Sequence, residues 1–317
     1  MPSEMNMIAT SAFPSLTLPI DLTDGIKLDP REARRIGEHL SGEYYFAEPY
    51  PHIVLDNFLP ADLAEKIITH FPEKPLANDV RHEGGYVGHH KRQILPNDCD
   101  SFVREVFNFF NSVPILQFLE GLTSIQGLIS DPYFEGGGLH ETSKGGQLGI
   151  HADFRIHERL SLNRRLNILI YLNKNWQDSY EGHLEIWDAA VKKKYQTISP
   201  IFNRCAIFST DADSYHGHPE PLNTPEHITR RSIALYYYTA SKKIYDELPA
   251  HSTMYAARPN DGRNIAKQVL HFNALNYKND WLPPALLKPK LLLPPVLYRK
   301  VKLGLAYLKS FRKNIKS

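Results

Sequence analysis

Two short runs of the sequence place histidine and carboxylate side chains at spacings that suit a metal ion. His151 and Asp153 lie two residues apart at the end of a predicted strand, so their side chains leave the same face of an extended chain. His216 follows another predicted strand, and a sandwich of strands brings distant parts of the sequence side by side. Two imidazoles and one carboxylate on one side of a metal ion leave its other positions open, as in non-haem Fe(II) sites. We therefore predict that His151 and Asp153 are metal ligands and that the run around His216 supplies a third.

His218 is the alternative to His216 as the third ligand. Both histidines stand in one predicted turn, two residues apart, so either side chain is able to point inwards. If His216 is the ligand, we expect His218 to support the turn or to line the pocket, as groups around metal ligands commonly do.

A cationic side chain and a hydroxyl follow on the next predicted strand, which begins at Arg230 and contains Ser232. Strand alternation puts these two residues on one face and Arg231 on the other. A guanidinium beside a hydroxyl inside a barrel forms a receptor for a carboxylate, which the planar fork of arginine binds through two hydrogen bonds. A bulge in the strand would give this role to Arg231 instead. An acidic ligand is expected, because a buried arginine without an anionic partner is costly.

The elements that must carry these residues are mostly short strands. From Gly127 onward, apolar runs alternate with Gly, Asn, Asp and Pro, without helical patterns between them. We predict strands near residues 132–140, 146–151, 165–172, 183–188, 194–199, 204–209 and 230–239. This pattern predicts a mainly β chain with flanking helices (α+β), in which the core is an antiparallel sandwich or jelly roll.

Helical patterns precede and follow these strands. Asp29 and Pro30 suit the N-cap and the first position of a helix. Further helices are predicted at 60–71, 100–111, 114–121, 260–275 and 296–313, with a strand at 51–56 and a polar, Gly-rich loop over 75–99. The predicted units are an N-terminal arm and helix (1–45), a jelly-roll domain with N-terminal helices (46–240) and a basic helical extension (241–317).

Composition excludes a disordered, collagen-like, coiled-coil or transmembrane chain. The chain has 317 residues, of which 42% are hydrophobic and 23% charged, and it lacks the run of about 18 apolar residues that spans a bilayer. The first residues lack the basic-then-apolar order of a signal peptide, and two cysteines are too few for a disulfide framework, so we expect a cytoplasmic protein.

The basic extension carries nine Lys or Arg and no acidic residue over 286–317, whereas the rest of the chain is net acidic. We expect its helix to pack on the jelly roll, with peripheral contact to an anionic membrane surface as the alternative. Nucleic acid is not an expected partner, since no binding motif accompanies the acidic body. The oligomeric state stays open.

The runs around these residues resemble the Fe(II)- and 2-oxoglutarate-dependent oxygenases, in the branch of the prolyl 4-hydroxylases. The resemblance covers roughly residues 50–240 and rests on the order H-x-D, a distal His and R-x-S. The similar segments are GGQLGIHADF (145–154), RRLNILIYLN (164–173), GHLEIWD (182–188), HGHPEPL (216–222) and DNFLP (56–60). One departure is His183, which replaces the second glycine of that branch's G-G-x-L-x-L-W-D strand.

The resemblance implies a double-stranded β-helix, which is a form of jelly roll, and a 2-oxoglutarate-dependent non-haem iron dioxygenase. It implies that His151, Asp153 and His216 hold Fe(II), with O2 and 2-oxoglutarate as cosubstrates and succinate and CO2 as coproducts. The presence of Asp153 favours hydroxylation, because related halogenases have a small residue there. Desaturation and ring formation stay open.

The resemblance also implies a site for 2-oxoglutarate. Its distal carboxylate would pair with Arg230, helped by Ser232. Asn167 and Tyr171 are four residues apart on a predicted strand, so they share a face, and we expect them to line the 2-oxoglutarate pocket; ordinary core packing is the alternative.

The substrate is the least determined part of the prediction, because the same core serves many substrates. We expect hydroxylation of an aliphatic C–H bond of a small or amino-acid-like molecule, since segment 79–93 and the C-terminal extension are able to close a pocket. Within that segment His89 and His90 are candidate substrate contacts, with an exposed polar loop as the alternative. A protein or peptide prolyl hydroxylase, which needs an open groove, is the first rival. The rival of another class is a non-catalytic metal-binding jelly roll.

Overall fold

The computed structural model describes residues 13–240 and 253–276. Within these ranges the α-helices are α1 (Pro30–Tyr45), α2 (Ala61–Thr69), α3 (Ser101–Phe110), α4 (Val113–Thr123) and α5 (Arg263–Asn276). The strands are β1 (His52–Leu55), β2 (Val80–His82), β3 (His89–Ile94), β4 (Ile129–Ser130), β5 (Gly138–Ala152), β6 (Asn163–Tyr171), β7 (Leu184–Trp187), β8 (Lys194–Ile198), β9 (Cys205–Ser209), β10 (His216–His218), β11 (Arg230–Thr239) and β12 (Met254–Tyr255). The predicted helix at 296–313 lies outside the described residues.

Two antiparallel sheets share the long strand β5. The larger sheet has the order β1-β9-β6-β11-β5, and β3 and then β2 continue beyond β5. The smaller sheet runs β5-β10-β7-β8, with β12 also paired to β5. The first third of β5 pairs with β11 and its last residues pair with β10, so one strand passes from sheet to sheet. This curled arrangement is the predicted double-stranded β-helix.

Alternate residues of β6 show how the two faces of the larger sheet are used. Leu166, Ile168 and Ile170 belong to the large apolar cluster that the helices α1 to α4 form with this sheet. Tyr171 belongs instead to a smaller cluster between the two sheets. The helices therefore bury one face of the larger sheet, which leaves its other face to line the space between the sheets.

Helix α1 begins where the sequence predicts it. The carboxylate of Asp29 accepts hydrogen bonds of 2.9 Å from the backbone amides of Arg31 and Glu32, and Pro30 takes the first helical position. The helix then packs on α4 through Gly37 of α1 and Gly121 of α4. A Cβ at Gly37 would collide with the backbone of Phe118 and Leu122.

We expect Gly37→Ala to lower the free energy of unfolding by about 1–3 kcal/mol, because the two helix backbones have no room for a methyl group. Gly42 lies in the same helix with no atom within 4 Å of its would-be Cβ. Gly42→Ala is the matched control and should stabilise the protein by up to about 1 kcal/mol. Urea unfolding of both variants measures the difference, and equal effects would contradict the close helix packing.

The prediction of a loop over 75–99 was wrong. This segment contains the hairpin of β2 and β3, which continues the larger sheet. The apolar alternation of a half-buried strand is missing because one face of β3 borders a polar cavity. On its other face Arg92 makes ion pairs with Asp79 (3.2 Å) and Glu141 (2.7 Å).

Two further elements differ from prediction. Strand β5 (Gly138–Ala152) contains the end of the strand predicted at 132–140 and all of the strand predicted at 146–151, because the glycines at 145, 146 and 149 do not end it. The predicted turn at His216 is the short strand β10, which sits between β5 and β7.

Candidate metal centre and active site

The structure brings His151, Asp153 and His216 together between the two sheets. His151 lies near the end of β5 and is paired in register with His216 of β10, and Asp153 follows β5 directly. The Nε2 atoms of His151 and His216 lie 3.6 Å and 3.5 Å from the Asp153 carboxylate oxygens. One ligand atom from each residue lies within 4.8 Å of the others, and all three side chains are buried or nearly so.

Both imidazoles are oriented by backbone carbonyls. His151 donates from Nδ1 to the Gly149 carbonyl (2.8 Å), and His216 donates from Nδ1 to the Ser214 carbonyl (3.0 Å). Each ring therefore keeps the lone pair on Nε2, directed at the carboxylate. Burial lowers the pKa of His216 to about 4, which keeps that ring neutral at pH 7. Two imidazole nitrogens and a carboxylate oxygen, with room beside them, are a donor set that fits Fe(II).

The Asp153 carboxylate has two further partners besides the histidines. Its Oδ2 accepts a hydrogen bond from Asn167 Nδ2 (2.7 Å). The same oxygen lies 3.0 Å from Nη2 of the buried Arg164. Burial by itself would raise the pKa of Asp153, but the Arg164 guanidinium holds it well below its usual range. The carboxylate is therefore ionised, as a metal ligand must be.

Sequence reasoning missed Arg164, which stands three residues before Asn167 on β6. A regular strand would send these two side chains to opposite faces. The register shows why they meet: Tyr237 pairs with Leu166, but Tyr238 pairs with Arg164. The bulge at the skipped residue turns Arg164 inwards, where it donates to Asn167 Oδ1 at 2.8 Å and 3.0 Å.

We expect Asn167→Leu to weaken metal binding by about 10- to 100-fold, because it removes a hydrogen bond that orients a ligand without changing the charge of the site. Titration of the protein with Mn(II), followed by electron paramagnetic resonance, measures the change. Asn223→Leu is the control, since Asn223 is exposed and bonds only weakly, to the Ser179 carbonyl at 3.4 Å. Equal Mn(II) affinities in the wild type and Asn167→Leu would contradict the orienting role.

Arg230 and Ser232 lie on the face of β11 that lines the cavity beside the metal centre. Arg230 donates from Nε to the Gly182 carbonyl (2.7 Å), and the Tyr171 hydroxyl also interacts with its guanidinium. Its guanidinium lies 5.0 Å from the centre of the Tyr171 ring. Arg231 faces the other way and pairs with Glu141 at 3.0 Å. Strand β11 thus has no bulge at this point, and Arg230 is the arginine that borders the cavity.

The cavity has a volume of about 170 Å³. Of the remaining predicted residues, Asn167 and His218 line it, whereas Tyr171 lies behind Arg230. Burial lowers the pKa of His218 well below its usual value, and the side chain is outside the cluster of ligand atoms.

His89 and His90 do not line this cavity. They stack on one another at the start of β3, with ring centres 3.9 Å apart. Glu83 lies beside them, 3.2 Å from Nδ1 of His89. Their role as substrate contacts stays a prediction.

Residues 253–276 lie over the cavity on the side of the metal centre. Strand β12 pairs with the end of β5, and the ring centre of Tyr255 lies 5.2 Å from that of His151. The Tyr255 hydroxyl donates to the Val87 carbonyl (2.7 Å), and the Tyr86 hydroxyl donates to the Ala256 carbonyl (3.1 Å). These reciprocal bonds tie the segment to the hairpin of β2 and β3.

Comparison with protein families confirms the resemblance seen in the sequence. The model described as the 2OG-Fe(II) oxygenase superfamily matches residues 137–238, a range that contains the three predicted metal ligands and Arg230. A search of curated proteins finds no match.

Several solved structures are similar to this chain at low identity. A prolyl hydroxylase from Trichoplax adhaerens, in complex with a hypoxia inducible factor peptide fragment, has 18% identity and a TM-score of 0.44, over 66% of this chain and 91% of that chain. A Pseudomonas putida prolyl-4-hydroxylase has 15% identity and a TM-score of 0.46, over 65% and 100%. HygX from Streptomyces hygroscopicus, with nickel and 2-oxoglutarate bound, has 11% identity and a TM-score of 0.44, over 62% and 85%.

Among the described residues, no helix has both the length and the apolar character needed to cross a membrane.

Proposed function

We propose that this chain, a 2-oxoglutarate-dependent non-haem iron dioxygenase, hydroxylates an aliphatic C–H bond of a small, amino-acid-like molecule. His151, Asp153 and His216 would hold Fe(II), and Arg230 with Ser232 would bind the distal carboxylate of 2-oxoglutarate. The bound iron would let O2 oxidise 2-oxoglutarate to succinate and CO2 and transfer the second oxygen atom to the substrate C–H bond.

In this scheme the residues of the chain orient the metal ligands and bind 2-oxoglutarate. The carbonyls of Gly149 and Ser214 set the two imidazoles, and Asn167 sets the carboxylate of Asp153. The guanidinium of Arg230 would bind and orient one end of 2-oxoglutarate. Such fixed geometry is the main contribution of a protein to chemistry that its cofactor performs.

The observation that carries the proposal of a small substrate is the closed side of the cavity. The hairpin of β2 and β3 is tied to segment 253–276 by the hydroxyls of Tyr86 and Tyr255. Gln268 of α5 adds a contact, since its Oε1 accepts from the Tyr86 amide at 3.3 Å. An extended peptide would need this side open, whereas a small molecule is enclosed by it and shielded from water.

A substrate survey tests the proposal. Purified protein with Fe(II), ascorbate and 2-oxoglutarate would receive free amino acids, small carboxylic acids or proline-containing peptides, and succinate would be measured. We expect stimulation by members of the small-molecule set, with product heavier by one oxygen atom. Stimulation by the peptides alone would favour the prolyl hydroxylase. A complete absence of succinate with metal-loaded protein would favour the non-catalytic jelly roll.

A cytoplasmic location is part of the proposal. Cys99 and Cys205 are both buried and free, which suits a reducing compartment.

A further inference from the structure

Lys91 stands in a row of polar residues that crosses the larger sheet. On β3 it pairs in register with Thr142 of β5, and Thr142 pairs on its other side with Arg230 of β11. Residues paired in this way send their side chains to the same face. Both Lys91 and Arg230 line the cavity of the metal centre. With strands about 4.8 Å apart, their Cα atoms are roughly 10 Å from one another.

The Lys91 ammonium has no hydrogen bond or ion pair with any residue that the structure describes. The carboxylate of Asp153 is the anion at the cavity, and Arg164 already pairs with it at 3.0 Å. The histidines near Lys91 bring no negative charge, and burial lowers the pKa values of His140 and His218 well below normal. Burial and the nearby Arg230 lower the pKa of Lys91 itself to about 8, although the charge of Asp153 acts in the opposite direction.

2-Oxoglutarate accounts for Arg230 but not for Lys91. In the proposed function one of its two carboxylates would go to the metal, and the other would be bound by the guanidinium of Arg230 and the hydroxyl of Ser232. A cation that borders a cavity without a partner is costly. A third carboxylate would supply the missing anion, and 2-oxoglutarate has none left.

We propose that Lys91 binds a carboxylate of the molecule that is oxidised, so that the substrate is a small organic acid held between Lys91 and the metal centre. This inference rests on the proposed function. The apolar side chains of Val87, Leu148 and Tyr255 also line the cavity, and they suit the short hydrocarbon part of such an acid.

The test uses acetate as the probe, because it is the smallest molecule with the proposed group. The full-length protein is loaded with Mn(II) and saturating 2-oxoglutarate, and the relaxation of [1-13C]acetate is followed by NMR. We expect saturable binding near the paramagnetic metal. Lys91→Met should weaken it by about 10-fold or more, the effect of losing a charged hydrogen bond, and Lys91→Arg should retain it. Acetamide is the neutral control ligand, and Lys192→Met, at an exposed position, is the control variant.

The contrary outcomes separate the inference from the proposed function. Absence of acetate binding, equal binding in Lys91→Met, or equal binding of acetamide would overturn the role of Lys91. A loss of 2-oxoglutarate affinity in Lys91→Met as large as in Arg230→Met would also overturn it, because Lys91 would then belong to the cosubstrate site. If the wild type binds no 2-oxoglutarate, the proposed function fails, and acetate binding to the protein with Mn(II) alone still decides whether Lys91 is an anion site.

Discussion

Replacing His216 by alanine is expected to abolish metal-dependent turnover. The imidazole Nε2 faces the Asp153 carboxylate at 3.5 Å, and its loss leaves two ligands where three are needed. The removal of a group that only orients a ligand costs about 10- to 100-fold, so removal of the ligand itself should cost more than about 100-fold in Fe(II) affinity. Metal content after dialysis and succinate release both measure the loss.

His218→Ala is the matched control for this prediction, because His218 stands two residues away on β10 and lies outside the ligand cluster. It should keep its Fe(II). If His218→Ala loses the metal and His216→Ala retains it, the assignment of the third ligand is wrong.

Replacing Arg230 by methionine is expected to raise the KM for 2-oxoglutarate by about 10- to 150-fold, the range that corresponds to hydrogen bonds between charged groups. The guanidinium lines the cavity, where the distal carboxylate of 2-oxoglutarate would be its anionic partner. Methionine preserves much of the volume, so Fe(II) affinity should change little. The dependence of succinate release on 2-oxoglutarate concentration gives the KM.

Arg231→Met is the matched control at the next position of the strand. Arg231 pairs with Glu141 on the face away from the cavity, so its loss should affect the free energy of unfolding and leave the KM unchanged. A raised KM in Arg231→Met, with a normal value in Arg230→Met, would contradict the orientation of strand β11.

Much of the site could be predicted because its residues lie on regular strands. The spacing of His151 and Asp153 places both side chains on one face, and the alternation along β11 separates Arg230 from Arg231. The strand register then joins His151 to His216, which are 65 positions apart in the numbering. The helices were predicted for a similar reason, because the apolar stripe that packs on the sheet has helical spacing.

The parts that were missed depend on departures from regular spacing or on polar burial. Arg164 reaches Asp153 only because of a bulge in β6, and a bulge leaves no clear sign in a single sequence. Lys91 was assigned to a loop because β3 faces a polar cavity on one side and ion pairs on the other. The glycines of β5 resembled turn signals, although here they let one strand serve two sheets.

The most direct test of the central claim is an anaerobic titration of the apo-protein with Fe(II) and then with 2-oxoglutarate. The visible charge-transfer band of an Fe(II)–2-oxoglutarate chelate should appear in the wild type. It should be absent in His216→Ala and should require a much higher 2-oxoglutarate concentration in Arg230→Met. A correctly folded wild-type protein that shows no band would contradict the assignment of this centre to Fe(II) and 2-oxoglutarate.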